Sequence, residues 1–106
     1  MSLKWPNKDP DEILDYSIDW SRFLGTDTID SVTWFVNDAD GVKTQLSAAG
    51  PLINGIQLIS TTNTSTVTTA YLGSGTENVQ YLFHCRITTT AGLAVERSVR
   101  LRVRNK

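Results

Sequence analysis

Apolar and polar residues alternate along most of this chain with a period of two. Leu14, Tyr16, Ile18 and Trp20 alternate with Asp15, Ser17, Asp19 and Ser21, and Val32, Trp34 and Val36 share one parity of residues 29–36. Successive side chains on a strand point to opposite faces, so each run predicts a strand with one face buried. The longest pair lies in residues 79–104. Val79, Tyr81, Phe83, Cys85 and Ile87 share a parity in its first half, and Val95, Val99, Leu101 and Val103 in its second. Thr89-Thr90-Ala91-Gly92 between them carries the small residues and the glycine of a hairpin turn. Shorter strands are predicted over residues 42–47, 55–60 and 66–72. They are bounded by Asn37-Asp38-Ala39-Asp40-Gly41, Ala48-Ala49-Gly50-Pro51, Asn63-Thr64-Ser65 and Gly73-Ser74-Gly75-Thr76. About seven short strands with such regular turn signals predict an all-β chain, an immunoglobulin-like antiparallel β-sandwich.

The first twelve residues break the pattern. Lys4-Trp5-Pro6-Asn7-Lys8-Asp9-Pro10-Asp11-Glu12 has two prolines, which remove backbone donors and fix φ. Residues 1–12 are therefore expected to be an extended N-terminal arm, with residues 13–106 as the sandwich domain. Asp11 could cap a brief helical turn before the first confident strand. Residues 23–27 read as a plain connection around Gly25.

Composition narrows the class. At 106 residues the chain is one domain. Its net charge of −1 argues against nucleic-acid binding by the molecule as a whole, but the charge is uneven. Residues 1–53 carry four Lys/Arg and nine Asp/Glu, whereas residues 54–106 carry six and two. No apolar run approaches the ~20 residues of a membrane span, and no leader pattern is evident, so a soluble chain without a membrane partner is expected. Cys85 is the single cysteine and His84 the single histidine, which excludes an intrachain disulfide and a His/Cys zinc cluster.

Candidate chemistry is sparse. His84 and Cys85 are adjacent, so on a strand they face opposite ways and cannot act as base and nucleophile. Cys85 shares the parity of Phe83 and Ile87 and reads as a small core residue. Asp9, Asp11, Glu12, Asp15 and Asp19 are interrupted by proline and lack the glycine bend of a calcium loop; Asn37, Asp38, Asp40 and Gly41 come closer but lack the later glutamate. The expectation is no catalytic, cofactor-binding or metal site, and no cofactor. Arg97 aside, Glu96, Ser98, Arg100, Arg102 and Arg104 form a row on the wet parity of the last strand. Such a row can grip phosphate, but the first and last strands of a sandwich often lie side by side, which would bring it onto Asp15 and Asp19. Trp34 and Cys85 fit the immunoglobulin pairing of a strand-C tryptophan with a strand-F position, and Tyr81 or Phe83 would take the corner-tyrosine position.

The run Lys4-Trp5-Pro6, Lys8 to Glu12, Leu14-Asp15-Tyr16, Ile18-Asp19-Trp20, followed by Asp27-Thr28-Ile29 and Val32-Thr33-Trp34, resembles a family of small tailed-bacteriophage and prophage virion proteins. Cys85 to Thr89 and Arg97 to Val103 look like the same family's closing hairpin, so the resemblance spans nearly the whole chain, with residues 42–74 contributing little. Its members are fiber–tail adaptors or head–tail-region structural proteins. The resemblance implies a compact immunoglobulin-like fold, no enzymatic activity, and a place in the virion after synthesis in the bacterial host cytoplasm. Partners would be other tail, connector or fiber proteins, with neither nucleic acid nor membrane among them. An exposed Trp5 would anchor the arm in a neighbour's pocket, and the acidic front of one copy meeting the basic end of the next would give a head-to-tail homo-oligomeric ring. The competing reading is a host-surface or carbohydrate-binding module, which requires solvent-facing aromatics grouped together; an enzyme ranks third.

Overall fold

The computed structural model describes residues 3–104. Eight strands and one short helix succeed one another: β1 (Leu3–Lys4), β2 (Leu14–Asp19), α1 (Ser21–Leu24), β3 (Ile29–Asn37), β4 (Lys43–Gln45), β5 (Ile56–Asn63), β6 (Val67–Ser74), β7 (Gln80–Thr89) and β8 (Ala94–Arg102). They form two sheets, one in the order β1-β8-β7-β3-β4 and the other in the order β2-β6-β5. The expected all-β sandwich is therefore present, with each alternating run on a strand. All pairings are antiparallel except that of β1 with β8.

The two-residue period sorts the side chains as expected. Tyr16 and Ile18 from β2, Trp34 and Val36 from β3, Leu58 from β5, Ala70 and Leu72 from β6, and the Tyr81-Phe83-Cys85-Ile87 parity of β7 all meet in one core. Trp20 is buried at the end of β2, with its Nε1 donating to Thr68 Oγ1 at 3.0 Å. Arg97 breaks the apolar parity of β8 because its guanidinium lies over the Trp20 ring, 4.7 Å from the centroid. Such stacking satisfies a cation without placing it in the apolar interior. Trp34 and Cys85 are cross-strand neighbours. The Tyr81 hydroxyl accepts from the Thr76 N–H at 2.8 Å and donates to the Asn54 carbonyl at 2.7 Å. That pair of bonds ties the start of β7 to the turn before β5 and the turn after β6.

The arm departs from expectation. Its residues are extended, but Trp5 is 7% exposed and sits in the domain's own core. Its ring centroid lies 5.0 Å from Tyr16, 5.6 Å from Phe83 and 5.9 Å from Trp34, and its Nε1 donates to the Ser17 carbonyl at 3.0 Å. β1 adds to the edge of the larger sheet while Ser17 belongs to the edge strand of the smaller one. Trp5 thus closes the seam between the sheets, because a half-apolar, half-polar indole can fill the gap and bond the far strand. It is not available to a neighbour's pocket.

The next residues continue the seal. Lys8 is fully buried; its backbone bonds Arg102 and Arg104, and its ammonium donates to the carbonyls of Ser74 at 2.6 Å and Asp9 at 2.9 Å. Asp9 Oδ1 accepts from the Asp11 N–H, and Glu12 Oε1 from the Asp9 N–H, which closes the turn into β2 without a helix. The residues that carry the resemblance in Lys8 to Glu12 are therefore a built-in structural plug. Residues 23–27 also differ from a plain connection, since one turn of helix, α1, runs into them and buries Leu24.

Candidate functional site

The fold leaves two broad sheet faces open, and they differ in chemistry. On the outer face of the larger sheet, Phe35, His84 and Ser98 lie side by side across β3, β7 and β8. The next register row places Thr33, Arg86 and Glu96 together, and a third places Leu82, Arg100 and Lys4 together. Lys43 and Gln45 extend the face across β4.

The centre of this face is tied by side chains from four strands. Lys43 Nζ stands 4.5 Å from the centroid of Phe35 and reaches Glu96 Oε1 at 2.6 Å. His84 Nε2 donates to Asn37 Oδ1 at 2.8 Å, and its Nδ1 accepts from Ser98 Oγ at 2.9 Å. Glu96 Oε2 lies 3.8 Å from the same Nδ1. Burial pushes the imidazole below its ordinary pKa; Glu96 opposes that shift and Lys43 adds to it. A neutral ring satisfied on both nitrogens is the form this arrangement holds. Ser98 and the carboxylate flank one nitrogen, and an amide oxygen occupies the other.

The remaining sequence candidates are dispersed. Cys85 is fully buried beneath His84, facing the opposite way, and burial pushes its thiol up to about 12. Asp38 closes its own turn, its Oδ1 accepting from the N–H groups of Asp40 and Val42, with Gly41 at φ 80°. Asp9, Asp11 and Glu12 belong to the turn after β1, whereas Asp15 and Asp19 stand on β2. Among the described residues no group of three or more His, Cys, Asp or Glu side chains is placed to hold a metal ion, and no helix is long and apolar enough to cross a membrane.

The arginine row does not meet Asp15 and Asp19. β2 belongs to the other sheet and pairs with β6, and the neighbour of β8 is β1. Arg100 and Arg102 instead join the outer face of the larger sheet, and Arg104 is exposed just beyond β8. Asp15 and Asp19 point outward from the smaller sheet, in register with Tyr71 and Val67. Sequence reasoning passed over Phe35, Leu82, Lys43 and Arg86 as members of one surface. The available signal was an aromatic on the wet parity of β3, opposite Trp34. Trp5, Trp20 and Trp34 are buried and Phe23 of α1 is exposed, while Phe35 and Tyr71 are half-buried on separate sheets, so these surface aromatics are not grouped as a glycan module requires.

A search of curated proteins returns no match. Residues 8–102 match the family described as Podophage GP4 fiber-tail adaptor protein gp77, a span from the buried Lys8 to the last residue of β8, and the chain belongs to that family.

Proposed function

We propose that this chain is a non-enzymatic structural component of a phage particle, an adaptor that joins tail and fiber proteins through protein–protein contacts. The observation that carries the reading is the family match, which runs through both sheets rather than over one motif. The outer face of the larger sheet supports it: Phe35 and Leu82 supply a half-buried apolar centre, and a rim of cations surrounds them. An apolar centre with a charged rim is the anatomy of a protein interface. We read the sandwich as immunoglobulin-like, with β2-β6-β5 as strands B, E and D and β8-β7-β3-β4 as G, F, C and C′. In this reading residues 13–106 are the sandwich domain, and residues 1–12 are an arm that seals it. The protein works in the virion after synthesis in the host cytoplasm.

The test is to remove the gene from a phage that carries it and to examine purified particles by electron microscopy and by mass spectrometry of their proteins. The expected particles lack both this chain and their fibers. Fully fibered particles made without it would refute the adaptor role.

A further inference from the structure

The two open faces of the sandwich carry opposite charge. On the larger sheet Lys4, Lys43, Arg86, Arg100 and Arg102 share the outer face with Glu96, which is engaged by Lys43, and Asp30 is exposed at the β3 bulge between Ile29 and Ser31 of the same sheet. Four cations therefore remain without an ion pair on that face among the described residues. On the smaller sheet Asp15 and Asp19 share the outer face with Ser17, Thr69, Val67 and Tyr71, and no Lys or Arg lies on β2, β5 or β6. Each face also has apolar contact to offer: Phe35 and Leu82 on the basic side, Tyr71, Val67 and the Ile59 side chain packed over Gly73 on the acidic side.

We infer that the basic outer face of the larger sheet docks on the acidic outer face of the smaller sheet of a second copy of this chain. The occupant follows from complementarity, since the partner surface is present on the same molecule, turned the opposite way. The molecule measures 40 × 26 × 24 Å, so its long faces can supply the ~800 Å² per partner of a standard interface. The contact is heterologous: every copy presents one face of each kind, so association continues beyond a dimer until it closes into a ring or runs on as a filament. Like faces repel, which selects against a back-to-back pair. The inference goes beyond the adaptor reading by naming the chain itself as a partner, and its test does not require a particle.

Sedimentation velocity across a wide concentration range tests it, with two charge-reversed variants. Lys4→Glu with Arg86→Glu and Arg100→Glu makes both faces acidic; Asp15→Lys with Asp19→Lys makes both basic. All five side chains are exposed, so both variants are expected to fold, and their melting curves check this. The wild-type chain is expected to form species larger than dimers. Raising NaCl from about 0.05 M to about 0.5 M should weaken them roughly tenfold, because the charges are screened over a shorter range. Each variant alone is expected to stay monomeric, and mixing the two in equal amounts to restore large species. A wild-type monomer at every concentration overturns the inference. So does a dimer that does not grow, self-association by either variant alone, or a mixture that stays monomeric. Should a variant fail to fold, the wild-type concentration and salt series decides alone, and association indifferent to salt overturns the inference. Fibers lost with the gene, together with a monomeric chain, would sink this inference and leave the adaptor role standing.

Discussion

Trp5→Ala separates two roles for the N-terminal arm. In the structure the indole is a wedge between sheets, in contact with Tyr16, Trp34 and Phe83 and bonded to the Ser17 carbonyl. Truncating a buried aromatic to alanine costs about 3–5 kcal/mol, the sum of lost transfer energy and the cavity left behind. Losing the hydrogen bond adds little if water reaches the Ser17 carbonyl at the opened edge, and about 1–3 kcal/mol if it does not. The lower figure is already a large part of the roughly 5–15 kcal/mol that stabilises a typical domain. For a chain of this size it corresponds to a fall in Tm of roughly 15 °C or more. Thermal and urea unfolding followed by circular dichroism measures this without relying on the fluorescence of the residue removed. Trp5→Phe should recover a good part of the loss, since it restores the ring and not the donor. A Tm within a few degrees of the parent, accompanied by failure to enter particles, would refute the wedge and return Trp5 to the role of an external anchor.

Trp34→Ala should cost about 3–5 kcal/mol for the same packing reason, read as a lower urea midpoint; an unchanged midpoint would contradict its burial. Lys8→Met keeps the stem but leaves the Ser74 carbonyl without its ammonium donor, and should cost about 1–3 kcal/mol in denaturant unfolding; a more stable variant would show that the buried charge is a burden. Gly75→Ala places a Cβ at 2.8 Å from Val103 Cγ2 on a backbone at φ +109°, so it should destabilise by more than ~1 kcal/mol, where a neutral melt would refute the close approach. Stability should fall on acidification in two stages. The unfolded His84 takes up a proton near its ordinary value of 6.5 while the folded ring resists, so stability is lost as pH drops from there towards the depressed folded value. Asp27, held low first by the Thr89 and Thr90 hydroxyls, and Asp19, held low by Ser21, stabilise above the unfolded value of 3.8; that share is lost as pH falls through their lower folded values. His84→Gln should remove the first stage and leave the second, as measured by urea midpoints against pH.

Period-two alternation determined most of this protein's elements before any coordinates. Tyr16 and Ile18, Trp34 and Val36, and Tyr81 through Ile87 lie in the core because parity is a local property of a strand, read from neighbours two residues apart. The polar turns are local in the same sense, as Asp38 and its two N–H partners show. The parity of Cys85 was enough to bury it and to turn His84 outward. Which sheet a strand joins is a different matter, settled by contacts between residues far apart in the chain. Asp15 and the arginines of β8 look complementary along the sequence, yet β2 pairs with β6 and β8 with β7 and β1, so they occupy opposite faces of the molecule. The fate of Trp5 was equally non-local. Two prolines announced an extended arm, but only the gap between the sheet edges decided that its tryptophan turns inward. The lattice around Phe35 and His84 likewise joins residues from Asn37 to Ser98, and it exists because four strands bring them into register.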